Sequence, residues 1–217
     1  VVVPDQYIDK WGADTFRTYL MFLGPFQEGG DFRDAGISGP RRFLDKVWDL
    51  VTLATDPDCK DAEIRREVLI KWHQVKQRVA EEIEQLRYNT AIAALMELVN
   101  VLRDQNCAER TLVSELVQMT APFAPHFAEE CWERLGHKTT IFDSTWPSYD
   151  PVLTIEDTIT VAVQVNGKTR GSVTIARGAD EAAVRAAAEA DPAVAKYLAS
   201  EIKKVIWVPG RMMSFVV

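Results

Sequence analysis

The hydrophobic period of this chain changes once along its length, and that change limits the folds open to it. In the first part apolar residues recur at helical spacing. Ile64, Val68, Trp72, Val75, Val79, Ile83 and Leu86 step by four and three, the seam of a helix packed on its neighbours. From Phe142 to Asp157 the helical period stops, and Pro147 and Pro151 stand among Ser, Thr and Asp residues, the composition of a linker. From Ile159 the period is two: Ile159, Val161, Val163 and Val165 alternate with Thr160, Ala162, Gln164 and Asn166, a half-buried strand. Charge shifts at the same place. Residues 1–150 hold 17 Lys and Arg against 25 Asp and Glu, whereas residues 151–217 hold 8 against 7. A helical domain followed by a small domain with strands is the expectation.

In the helical part, Val1–Val3 read as the end of a strand. Asp5 reads as the cap of a short helix to Trp11, and Asp14 as the cap of the next, with Phe16, Leu20 and Leu23 on one face. Residues 24–39 read as a loop. A helix over 40–54 buries Phe43, Val47, Leu50, Val51 and Ala54. Arg41, Arg42 and Lys46 near its start oppose the macrodipole, so they are left for solvent or for a partner. Asp61 is expected to cap a long helix to about Arg87, with Trp72 and His73 as a packing pair. Asn89 is expected to cap another that turns Ile92, Leu95, Met96, Val99 and Leu102 inward. The helix from about Arg110 meets the segment TAPFAPHFAEECWERLG at 120–136. There Pro125 suits the first turn of a new helix, and Ala124, Ala128, Cys131, Trp132 and Leu135 share one face. Gly136 is the stop. The sum is an antiparallel bundle of about four or five helices with short links.

In the second part Asn166–Gly167 signals a hairpin. A two-residue loop would place Val163 opposite Arg170. A three-residue loop, 166–168, places Val165, Val163, Val161 and Ile159 opposite Thr169, Gly171, Val173 and Ile175. The latter keeps one face apolar and is preferred. Asp180 opens an alanine-rich helix, Asp191–Pro192 opens a second, and Val205–Val208 and Met212–Val217 are strands joined through Pro209–Gly210. The order is ββααββ, a small α+β domain. The fold class is therefore mainly α with an α+β appendage, divided as 1–39, 40–142, a linker at 143–157, and 158–217.

Chemistry-bearing motifs are sparse. The sequence contains no phosphate-binding glycine loop and no nucleophile elbow. Its three cysteines, Cys59, Cys107 and Cys131, and its three histidines, His73, His126 and His137, lack metal-ligand spacing. Sparse, odd-numbered cysteines suit reduced thiols in a cytosol, and Cys131 reads as a small buried hydrophobe. His126 reads as a capping or packing residue at the proline break. No apolar run reaches the length of a membrane span, and the N-terminus has no signal-peptide pattern. A net charge of −7 opposes generic nucleic-acid binding, DNA included. On motifs alone this is a binding or structural unit.

Three stretches, in order, resemble the bacterial leucyl-tRNA synthetase family of class I enzymes: VVVPDQYIDKWGADTFRTYLMFLGPF at 1–26, NTAIAALMELVN at 89–100 with APFAPHFAEECWERLG at 121–136, and VQVNGKTRG at 163–171 with KKVIWVPGRMMSFVV at 203–217. The valyl, isoleucyl and methionyl families share features of the first two; the third favours the leucyl one. The resemblance implies a C-terminal fragment following the KMSKS loop, with a helical anticodon-binding domain and a C-terminal tRNA-binding domain on a flexible linker. The HIGH and KMSKS signatures are absent from the sequence. The implied role is therefore tRNA positioning beside a catalytic core held in cis, with ATP and Mg belonging to the whole enzyme and no cofactor to this fragment. The implied partner is tRNA-Leu, through its elbow and long variable arm, for a cytoplasmic monomer. Phosphate-contact candidates are Lys168 and Arg170 near the hairpin tip, Lys203 and Lys204 before a strand, Arg211 after the Pro–Gly turn, and Arg41 and Arg42 in the bundle. Trp207 could stack on a base, but a core place is favoured. A protein-binding helical scaffold is the alternative of a different class.

Overall fold

The computed structural model describes residues 3–25, 27–57, 64–198 and 201–217. The chain divides into two compact units, Val1–Thr154 and Ile155–Val217. It is mostly helical, with a small four-stranded mixed sheet confined to the second unit.

The first unit holds α1 (Pro4–Trp11), α2 (Ala13–Phe22), α3 (Ser38–Ala54), α4 (Arg66–Glu84), α5 (Tyr88–Asp104), α6 (Arg110–Thr120) and α7 (Pro125–Arg134), with short 3-10 turns at Asp34–Ile37, Ile141–Asp143 and Pro151–Thr154. One continuous core joins α3 to α7. Val47, Trp72, Val79, Leu95, Leu98, Leu116 and Phe123 are all within it. A smaller cluster of Phe16, Tyr19 and Ile37 holds α2 to the 3-10 turn before α3. Its anchor is Tyr19, whose hydroxyl donates to the carbonyl of Arg33 and accepts from its N–H. Leu20, expected on that inner face, is exposed; the face turns through Phe16 and Tyr19 instead.

Several helix ends differ from their sequence expectations. Pro4 occupies the first turn of α1, which puts Asp5 inside the helix rather than at its cap. Asn89 likewise lies inside α5, whose cap position is Arg87. The helix of the long seam stops at Glu84, and Leu86 is exposed in a left-handed conformation at φ +57°. The N–H of Arg87 then reaches back to the carbonyl of Glu82. Asn106 after α5 and Gly136 after α7 repeat this device, which satisfies carbonyls that a helix end leaves open. The expected cap Asp61, the cysteine Cys59 and two of the three N-terminal valines, Val1 and Val2, lie outside the described residues.

The stretch expected as a linker is, up to Thr154, part of the helical unit. Gln118 Nε2 donates to Ser144 Oγ and to the carbonyl of Thr145. The N–H of Asp150 donates to His73 Nδ1 at 2.9 Å, and Gln74 Nε2 to the carbonyl of Thr154. Polar groups on α4 and α6 supply partners that a proline-rich segment cannot find within itself. His73 is thus a tether for this segment. Trp72 is buried and donates its indole N–H to Glu115, which also takes the buried Lys76 ammonium at 2.9 Å.

In the second unit β1 (Thr158–Val165), β2 (Lys168–Ala176), α8 (Glu181–Ala190), α9 (Pro192–Ala195), β3 (Lys204–Val208) and β4 (Met212–Val216) follow in order. The sheet runs β2–β1–β4–β3, with β1 and β4 parallel and the other pairs antiparallel. Asp180 accepts from the N–H of Ala183 and Asp191 from that of Ala193, capping α8 and α9. Val161, Val163, Val173, Met213 and Phe215 of the sheet and Val184, Ala188 and Val194 of the helices form a separate core. Trp207 packs, partly buried, at its edge.

The hairpin combines the two readings of its register. Ile159, Val161 and Val163 face Ile175, Val173 and Gly171, as the three-residue loop requires. Between Val163 and Gln164 the register slips, so that Val165 faces Lys168. Asn166 at φ +49° and Gly167 at φ +75° then make a two-residue turn, the conformation that matches strand twist. The residue left over is Arg170, the extra residue of a β-bulge.

Candidate nucleic-acid interface

The strand directions decide which cationic side chains meet. The C-terminal ends of β1 and β4 lie side by side, with Val165 against Phe215. The start of β2 pairs with the end of β1, and the start of β3, Lys204, with Val216. Lys168, Lys203 and Lys204 therefore stand at one end of the sheet. Asn166 ties that end together: its N–H donates to the carbonyl of Phe215, and its Oδ1 accepts from the N–H of Val217. The N–H of Lys203 donates to the carbonyl of Val216. All three lysines are exposed. Three ammonium groups on a frame of backbone hydrogen bonds are suited to phosphate oxygens.

Arg211 is not in this group. It follows the turn at the far end of β3 and β4, five β4 residues from the lysines, or about 17 Å at strand rise. Arg170 differs in another way. Its guanidinium lies 4.0 Å from the ring centroid of Tyr197, and its Nε is buried with no hydrogen-bond partner among the described residues. The bulge aims it onto Tyr197, so it braces the hairpin rather than standing open at the tip. Lys196 approaches the same ring at 5.1 Å. Neither Lys196 nor Tyr197 carried a sequence signal, because the contact of Tyr197 with Arg170 depends on a bulge that alternation does not reveal.

In the helical unit Arg41 and Arg42 sit in the first turns of α3, both exposed. Arg41 is held by Asp45 at 2.9 Å, one turn on, and Arg42 reaches Ser38 Oγ at 3.3 Å. Opposite them, the proline break is built by a carboxylate from far away in sequence. Asp14 is buried, and its Oδ2 accepts the N–H of Phe127, the third residue of α7, at 2.6 Å. Its Oδ1 faces Arg17 and, at 3.2 Å, His126 Nδ1. Asp14 thus caps α7 and not its own helix, for which it makes no cap hydrogen bond. His126 is exposed, a polar neighbour of the cap as expected for a residue at the break.

Two groups could suggest catalysis. Ser114 Oγ lies 3.2 Å from His137 Nε2. The imidazole stacks on Trp132 with ring centroids 3.4 Å apart, and burial together with the Arg110 charge pushes its pKa down. Among the described residues no carboxylate hydrogen-bonds that ring, the place an orienting acid takes in a nucleophile–base system. Cys131 is fully buried, and its thiol is pushed up to about 12, chiefly by burial; a thiol so protonated is inert. Among the described residues no group of three or more His, Cys, Asp or Glu is placed to hold a metal, and no helix is long and apolar enough to cross a membrane.

The family described as the anticodon-binding domain of tRNA ligase matches residues 65–185, from the start of α4 into α8. A leucine–tRNA ligase of a Geobacter species is 41% identical over 239 aligned positions, covering 100% of this chain and 28% of that protein. The leucine–tRNA ligase of Mycobacterium ulcerans is 42% identical, again over 100% of this chain and 23% of its own length. Among solved structures, the ternary complex of Agrobacterium radiobacter agnB2 LeuRS with tRNA and LeuAMS superposes with a TM-score of 0.75 at 28% identity, covering 100% of this chain and 30% of that one. The chain spans about a quarter of the length of the curated relatives it matches.

Proposed function

We propose, since this chain belongs to the family of anticodon-binding domains of tRNA ligases, that it is the tRNA-positioning C-terminal region of a leucine–tRNA ligase. The whole protein would join leucine to the 3′ end of tRNA-Leu at the expense of ATP. The chemistry of ATP and Mg2+ falls to residues outside these 217, which contain neither the HIGH nor the KMSKS signature, so the chain alone would not aminoacylate. The observation that most supports this is that leucine–tRNA ligases align across all of the chain, sheet unit included.

In this reading α3 to α7 are an antiparallel bundle of the synthetase anticodon-binding type, and residues 1–39 join it to a catalytic core in cis. The ββααββ unit grips the outer corner of the tRNA, its elbow and long variable arm, with Lys168, Lys203 and Lys204 on phosphates. Arg42 and Arg211 are separate phosphate contacts, while Arg41 is held by Asp45 and Arg170 acts by holding the hairpin. The protein would work as a cytoplasmic monomer. Phosphate contacts add affinity that falls with salt, and recognition of a folded RNA corner is by shape. A fluorescence titration of the 217-residue chain tests this. Salt-sensitive binding is expected, tighter for a tRNA-Leu with its long variable arm than for the same RNA with that arm removed. Equal affinity for both would overturn the recognition of the arm; no binding to either would overturn the function.

A further inference from the structure

A cleft of about 540 Å3 opens between the first turns of α2 and α7 and the middle of α3. Trp11, Leu44, Trp48 and Phe127 give it apolar walls, and Arg41, Asp45, Asp14 and His126 supply its polar groups. Trp48 is half-buried; Phe127 packs beside it at 6.3 Å between centroids, and the Arg134 guanidinium lies 4.2 Å from its ring. A cleft of this size, aromatic with a few placed polar groups, is suited to a small planar group.

Its charges are already matched. Arg41 is paired with Asp45, and Asp14 with Arg17; His126 hydrogen-bonds Asp14. No surplus cation lines it to hold a phosphate. Both Nε and Nη2 of Arg41 converge on the same oxygen, Asp45 Oδ1, and Asp45 lines the cleft. A carboxylate acceptor beside an indole is the chemistry that takes the amino edge and the face of a nucleobase. Two cations with no ion pair among the described residues stand just outside. Lys10 lies over Trp11 at 5.3 Å, and Arg42 follows Arg41 on the exposed side of α3. Phosphates flanking a base in a strand would run there.

We propose that this cleft receives one unstacked nucleobase of the bound tRNA, its face on Trp48 and its amino edge toward Asp45. The proposal rests on the tRNA-binding function above. A free nucleotide shares the base chemistry, but the matched lining offers its phosphates no partner.

The test is titration of tRNA-Leu into the 217-residue chain at several salt concentrations, with Trp48→Leu and Trp11→Ala variants. Trp11→Ala, at the end of the peripheral α1, keeps the test decisive should Trp48→Leu fail to fold. Loss of stacking lowers affinity about tenfold or more. The slope of log K against log salt stays unchanged, because stacking displaces no counterions. That combination supports the proposal. Wild-type affinity in a folded variant overturns the cleft while leaving tRNA binding intact. No RNA binding by the unmodified chain removes both. If adenosine monophosphate quenches the tryptophans with micromolar affinity and Trp48→Leu abolishes this without weakening tRNA binding, the occupant is a free nucleotide and the tRNA base is overturned.

Discussion

Asp14 and Phe127 lie 113 residues apart, yet a carboxylate oxygen of the first accepts the backbone N–H of the second at 2.6 Å. With the hydrogen bond from Thr18 Oγ1 to the carbonyl of Phe123, this contact joins the N-terminal helices to the proline break, and it supplies the cap that Ala124 does not. Replacing Asp14 with Ala leaves a donor in a half-buried helix end without a partner, a loss of about 1–3 kcal/mol. Asp14→Asn keeps an acceptor and is expected to lose less. Urea unfolding of the two variants checks this; an alanine variant within a few tenths of a kcal/mol of the parent would mean that the cap contributes little.

The His73–Asp150 hydrogen bond needs an unprotonated Nδ1. Burial, and then the charge of Lys76, push the His73 pKa down, so the ring is neutral at pH 7 and the tether holds. In the unfolded chain the histidine takes a proton below about 6.5; in the native state it does so only at lower pH. Native stability from this group is therefore intact above about pH 6.5 and lost as pH falls below it. Amide hydrogen exchange at Asp150, corrected for the intrinsic rate, is expected to quicken between pH 7 and pH 5, and to lose that dependence in His73→Gln.

Cys131 behaves in the opposite sense. Its folded pKa lies above the unfolded value, so its protonated thiol contributes full stability below the reference of 9.0, and this is lost as pH rises toward about 12, at about 1.4 kcal/mol per pH unit. At pH 8 burial keeps the native thiolate population far below that of a free thiol. Alkylation mapped by mass spectrometry should leave Cys131 unmodified in buffer and modified in urea. Rapid native labelling would contradict its burial.

Gly171 is where α9 presses on the bulged strand. An added Cβ would stand 2.9 Å from Val194 Cγ2, too close without movement. Gly171→Ala is expected to cost about 1–3 kcal/mol through overpacking. In a Val194→Ala background the cost should fall, a coupling that a double-mutant cycle reads directly. Additive effects would show that the two residues do not meet.

What the sequence disclosed, it disclosed through periodicity. The inner face of α7, from Ala124 to Leu135, follows from spacing alone, as does the pairing of Ile159 and Val161 across the hairpin, because burial imposes those periods. Features set by distant partners were hidden. Asp14 looks like a local cap, and only the packing of α2 on α7 reassigns it. Arg170 looks like a free tip residue until the bulge turns it onto Tyr197. Segment 143–154 has a linker's composition, yet its partners are polar groups on α4 and α6. The lysine cluster was half legible: each lysine is visible in sequence, but their meeting depends on the parallel pairing of β1 with β4.

The most direct test of RNA gripping by that end of the sheet is the salt dependence of tRNA-Leu binding by the 217-residue chain and by a Lys168→Ser, Lys203→Ser, Lys204→Ser triple variant. Each phosphate contact contributes roughly 0.7–0.9 to the slope of log K against log salt. The triple variant is expected to bind more weakly, with a slope shallower by about 2 to 3. Unchanged affinity and slope in the folded variant would contradict phosphate contact by this end of the sheet.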